Sequence, residues 1–211
     1  MSYLALFPLR LVAFPGETVH LHIFEPRYRE LIHDCDNEGI PFGINVTLDK
    51  KLMPIGTELM LERIVRRYPQ GEMDVECLAL GTYRLNSFDQ KAPGKEYAGG
   101  NITHIDHEND PDPAKNALLL ERVRQLYETI EVEKALPDTA QEFRTFDFAH
   151  HVGFSIEQEY EFLTIPQEIM RQERMLRHLE SLMPKLDEAR EVARRAMMNG
   201  HFKNALPPEI E

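Results

Sequence analysis

The sequence predicts an α+β protein: a small β-barrel crossed by one helix over about residues 1–106, then a helical subdomain over 107–211 that ends in a long helix. Three observations predict it. Short apolar runs of period two, separated by Gly and Pro turns, fill the first half. One stretch among them switches to a helical period, and past an acidic, proline-bearing run at 107–113 the patterning is helical.

Leu4, Leu6 and Val12 precede the stretch that organises the chain, residues 14–32. Pro15-Gly16 marks a turn, after which Val19, Leu21 and Ile23 alternate as in a half-buried strand. At Glu25-Pro26 the period changes. Pro26 suits a first helical position, Tyr28, Leu31, Ile32 and Cys35 share one face, and Gly39 stops the helix. Phe42, Ile44 and Val46 alternate next. Residues 57–68 and 72–80 then form a hairpin turning at Pro69-Gln70-Gly71. Ile64 falls out of phase with Leu59 and Leu61, so a bulge near Arg63 is expected; it would bend the strand as a barrel requires. Gly81 followed by 82–85, and then 97–105, supply further strands, with 92–95 as a turn between them.

In the second half Asp112 can cap a helix whose first residue is Pro113, with Leu119, Val123, Leu126, Tyr127 and Ile130 on its apolar face. Ser155 with Gln158, and Thr164 with Gln167, have the form of capping boxes, so two more helices should begin there. The last is long: Ile169, Leu176, Leu179, Met183, Leu186, Ala189 or Ala193, and Ala196 recur near heptad spacing. Pro184 should kink or split it, Gly200 should end it, and 201–208 reads as a mobile tail.

Composition narrows the function classes. With 42% hydrophobic and 28% charged residues, the chain reads as an ordinary globular protein. Net charge is −12 and both halves are acidic, so a phosphate backbone would be repelled unless a local patch overrides the field. The only such patch is Arg63, Arg66 and Arg67 with Tyr68. No run approaches a membrane span in length, and the broken, non-basic start makes a poor secretion signal. Cys35 and Cys77 sit at apolar-pattern positions and read as core residues, which fits a reducing cytoplasm.

The run PLRLVAFPGETVHLHIFEPRYRELI, then Phe42-Gly43-Ile44, Gly56-Thr57 and GTYRL at 81–85, resembles the N-terminal, substrate-engaging domain of the ATP-dependent Lon proteases. The form it resembles is the free-standing bacterial Lon-domain protein. The likeness is close over the first half and looser over the second. It implies a PUA-like pseudobarrel with a trailing helical subdomain, and a non-catalytic module that recognises polypeptide or another protein. The alternatives it leaves are RNA binding, since PUA-like barrels also host RNA readers, and service as a component of ATP-dependent proteolysis beside separate catalytic subunits.

Catalytic groups are not apparent in the residues. Gly94-Lys95 lacks the upstream glycine and following Ser/Thr of a phosphate loop, and Ser181 with Lys185 on a helix has no oxyanion hole. His20 with His22, and His150-His151, are pairs without a third ligand, and His104, Asp106 and His107 could in principle converge, but no HExxH or Cys/His spacing supports a metal site and no cofactor is expected. What remains is a surface, with the junction between the two subdomains as its expected groove. Glu25, Arg27 and Tyr28 are candidate partner-binding residues at its edge, although Tyr28 also lies on the core-facing stripe and Glu25 with Arg27 can simply lock the corner. His20 and His22 could line an exposed sheet face, and Met60 is the strand member of a set of adaptable methionines. The long helix is a candidate surface for pairing with a second copy.

Overall fold

The computed structural model describes residues 2–202, with side chains through 197. Six strands form one sheet: β1 (Ser2–Leu6), β2 (Thr18–Ile23), β3 (Phe42–Leu48), β4 (Lys51–Arg67), β5 (Met73–Leu85) and β6 (Ala98–Ile105). Their order is β2-β5-β4-β3-β1-β6, and β6 returns to pair with β5, so five strands close into a barrel. Among the described strands only β1 and β3 pair in parallel, through Ala5↔Phe42 and Leu6↔Gly43. A parallel neighbour needs a crossover connection, and β2 with helix α1 (Pro26–Glu38) supplies it.

Successive parts of β5 serve two partners. Residues 73–78 pair with β2, and 82–85 pair with β6. The expected strand break at Gly81 does not occur, because β5 runs on through it. The hairpin bends at three register shifts between β4 and β5, one of them between Leu61 and Arg63 as the phase of Ile64 requires.

Alternation puts Val19, Leu21 and Ile23 of β2 and Met73, Val75 and Cys77 of β5 into the core, where Tyr28, Leu31, Ile32 and Cys35 of α1 join them. Helix α1 has Pro26 in its first turn, and Gly39 closes it in the left-handed region at φ 65°, its amide bonding Cys35 O at 3.0 Å. Both cysteines are buried and unbridged, and burial pushes each thiol up to about 12. A second cluster gathers Leu4, Leu6, Ala98 and Ile102 around Tyr83. Its hydroxyl donates to Asn45 Oδ1 at 2.6 Å, and Asn45 Nδ2 donates to Met53 O at 3.0 Å.

One compact unit comprises Met1–Pro111 together with Arg144–Arg171. Helices α3 (Thr145–Phe148) and α4 (Ile156–Leu163) thus belong with the strands. Phe14 stacks on Phe146 at 5.3 Å and meets Phe162 edge-on at 6.1 Å, while Tyr160 Oη accepts the Ile55 amide at 3.2 Å. Helix α4 opens with the expected Ser155/Gln158 capping box. Thr164 does not open a helix: its hydroxyl donates to Glu161 O at 2.6 Å, so it closes α4 instead. The next helix, α5 (Glu168–Phe202), starts after it, with the Glu168 amide donating to Glu108 O at 2.8 Å.

Within this unit His150 sits between two carboxylates, 2.8 Å from Glu159 Oε1 and 3.1 Å from Glu17 Oε2. Burial opposes its charge, yet the two hydrogen bonds to these acids push its pKa up to about 9. A raised histidine stabilises the fold fully below its unfolded value near 6.5 and loses that contribution as pH rises toward 9. We expect stability to fall by about 2 kcal/mol over that interval, and His150→Gln to flatten the decline. Urea unfolding at a series of pH values checks it; an unchanged slope in the variant refutes the assignment.

The second unit takes Asp112–Phe143 and the chain from Gln172 on. Asp112 caps α2 (Pro113–Ile130), accepting from the amides of Ala114 and Lys115. Leu119, Val123, Leu126 and Tyr127 are buried as their spacing predicts, but Ile130, the last residue of the helix before the left-handed cap at Glu131, is exposed. Asn116 is a buried hub, receiving Gln172 Nε2 at 2.6 Å and donating to the carbonyls of Ala140 and Phe143. Helix α5 keeps Pro184 inside it and is not split there. Met183 and Leu186 near the proline are half-buried, while Pro184 itself is exposed. The helix passes Gly200 to Phe202, and the rest of the expected tail lies outside the described residues.

Candidate functional site

The corner where β2 gives way to α1 forms one wall of a groove of about 840 Å³. Glu25, Pro26, Arg27, Tyr28 and Glu30 line that wall, and Phe88, Gln90, Lys91 and Glu96 line the other. Extended backbone at Glu25 followed by a φ-restricted proline turns the chain sharply, which sets Arg27 and Tyr28 at the helix start. Arg27 bonds Glu25 at 2.8 Å and lies 4.5 Å over the Tyr28 ring. Tyr28 packs against Phe7 with ring centroids 3.8 Å apart. The corner-locking and core-packing roles foreseen for these residues are therefore present, and the same residues border the groove.

The opposite wall is a loop held at both ends. Asp89 and Gly99 exchange backbone hydrogen bonds of 2.8 and 3.0 Å, and the Lys95 amide bonds Ala92 O across a turn that places Gly94 at φ 73°. Lys95 Nζ and Tyr97 Oη both reach Asp34 of α1, at 2.6 and 2.7 Å. Burial alone would raise the Asp34 carboxyl, but these two donors hold it below the usual carboxylate range. The groove is thus built on two anchored walls, with Phe88 left 43% exposed between them. Sequence reading passed over this wall. Its one signal was a lone phenylalanine in the polar run 86–91.

The other candidate residues lie elsewhere. His20 and His22 occupy the exposed face of β2, His22 2.7 Å from Asp74 and His20 3.7 Å from Glu76. Met60, half-buried on β4, is paired with Leu78. Two arginines of the basic strand are paired with acids, Arg63 through two bonds to Glu76 and Arg67 with Asp36 at 3.0 Å, while Arg66 lies over the Tyr68 ring at 4.6 Å. His104 and His107 do not converge, since His104 bonds Glu58 and His107 bonds Thr82. Among the described residues, no group of three or more His, Cys, Asp or Glu side chains is placed to hold a metal ion. Among them, too, no helix is long and apolar enough to cross a membrane.

A smaller cavity of about 490 Å³ lies over Pro15, Gly16, His107 and Phe146 and ends on Arg171. Arg171 is fully buried. Its guanidinium bonds Glu168, the carbonyls of Ile165 and Pro166, and Asn109, and lies 4.2 Å over the Phe146 ring. It also meets His107 Nδ1 at 3.1 Å, so that nitrogen accepts and Nε2 donates to the Thr82 hydroxyl at 2.7 Å. Burial and the adjacent guanidinium both push the His107 pKa down. With its donors occupied, Arg171 serves as an internal brace.

Comparison with known proteins agrees with this architecture. A structure of a Lon N-terminal domain protein from Xanthomonas campestris superposes with a TM-score of 0.66 at 22% identity, covering 83% of this chain and 98% of that one. The N-terminal domain of a Mycobacterium avium complex Lon protease gives 0.63 at 11% identity, covering 85% and 98%. At these identities the likeness establishes the fold. A search of curated protein sequences returns no match. The family model for the ATP-dependent protease La (LON) substrate-binding domain matches residues 3–181, and on that extent the chain belongs to the Lon substrate-binding domain family.

Proposed function

We propose that this protein is a non-catalytic module that recognises polypeptide, and that an extended segment docks in the groove between the Glu25–Tyr28 corner and the loop carrying Phe88. The groove itself carries the reading. It offers apolar surface from Pro8, Pro26, Phe88 and Ala98, rimmed by charged groups, as a cleft for a polypeptide side chain should. Membership of a family described as a protease's substrate-binding domain supports the same ligand class. In this reading ATPase and peptidase activities, where needed, come from separate subunits, and the protein works in the cytoplasm.

Fluorescence anisotropy with labelled peptides from an unfolded model protein tests the proposal. Saturable micromolar binding is expected, and Phe88→Ser should weaken it about fivefold to tenfold, the effect of losing an exposed aromatic anchor. Binding that is absent, or indifferent to Phe88→Ser, refutes the assignment to this groove. Casein and ATP turnover assays should be blank; turnover that follows the protein through purification would make it an enzyme.

A further inference from the structure

The charged rim of the groove is unbalanced. Arg27 is committed to Glu25 at 2.8 Å, and Lys91 to Glu96 at 2.5 Å. Glu30 is the remaining charged lining residue. The Glu96 amide fixes its Oε2 at 3.1 Å, and among the described residues no cation forms an ion pair with it. Neighbouring Lys95 is held by Asp34 at 2.6 Å. One carboxylate is therefore left over in the cleft of a chain whose net charge is −12, a field that attracts cations and repels acids.

A second group is also unmatched. Tyr28 is only 4% exposed as a whole and borders the groove, yet among the described residues nothing hydrogen-bonds its hydroxyl, which is itself not buried and so opens to the solvent of the groove. A hydroxyl that faces the groove and has no protein partner is free to donate to an arriving main-chain carbonyl.

We infer that the groove selects extended segments in which an aromatic or large aliphatic residue adjoins a lysine or arginine. The apolar side chain lies on Phe88 and Pro26, its cationic neighbour pairs with Glu30, and a backbone carbonyl of the segment accepts from Tyr28. This rests on the groove being the place where polypeptide docks.

The intact protein is titrated into three labelled peptides that share one apolar sequence and differ only in carrying Lys, Gln or Glu at the flanking positions. At about 50 mM salt the lysine peptide should bind about fivefold tighter than the glutamate peptide, and the gap should close near 500 mM. Glu30→Gln keeps an oxygen for the Glu96 amide and should remove most of the gap; Glu30→Lys should reverse it. Equal affinity for all three peptides overturns the inference, as does a gap that Glu30→Gln leaves intact. If Phe88→Ser weakens all three equally and no gap exists, the groove stands and only its charge preference falls. If none binds, or Phe88→Ser changes nothing, both readings fall.

Discussion

Arg171→Ala is expected to lower stability by about 3–5 kcal/mol, read as a shift in the urea midpoint followed by far-ultraviolet circular dichroism. The arginine does not merely fill space. Its removal leaves Glu168, itself buried and 2.7 Å from the guanidinium, as a charge without its counterion. It also strips donors from the carbonyls of Ile165 and Pro166, which end the turn before α5. Among the described residues, the Thr145 amide and hydroxyl, at 3.1 and 2.9 Å, would be the donors left to the Glu168 side chain. Arg171→Met, which restores volume without charge, should recover little alone and substantially more when combined with Glu168→Gln, because the uncompensated carboxylate is the larger part of the loss. A midpoint unchanged in Arg171→Ala would show that the brace is dispensable.

Gly43→Ala, a single methyl group, is expected to cost about 2–4 kcal/mol. A β-carbon on Gly43 would overlap the Tyr83 hydroxyl and lie 2.7 Å from its Cζ and 2.8 Å from Leu4 Cδ2. Tyr83 is fully buried and tied to Asn45, so it cannot yield without breaking that bond. Burial also raises its pKa far out of reach, so the hydroxyl stays protonated as donor. Cutting the ring back should relieve the clash: Gly43→Ala combined with Tyr83→Leu should lose less than the two changes summed. Strict additivity between the two would mean that the glycine matters for some reason other than the tyrosine beside it.

Helix α1 could be written down residue by residue from the chain alone, because Pro26 and Gly39 act through local backbone geometry and Tyr28, Leu31, Ile32 and Cys35 through spacing. The bulge near Arg63 was equally legible as a phase error. What sequence could not show is governed by partners distant in the chain. Arg171 sits where a helix pattern reads as solvated, and its burial depends on groups as remote as His107 and Asn109. The capping pattern at Thr164 was real chemistry used by the preceding helix. Half of the groove was visible, since the Glu25–Tyr28 corner is local. The other half is a loop without period, positioned by Asp34 from another element.

The return of residues 144–171 to the strands has a consequence for biosynthesis. A nascent chain that has emerged only as far as Pro111 holds every strand, yet it lacks Phe146 and Phe162 to shield Phe14 and Tyr160 to accept from the Ile55 amide. Early tertiary structure must therefore wait on the ribosome with an aromatic side chain uncovered, the kind of exposure that general chaperones meet. A shortened expression product ending there would carry the same defect permanently.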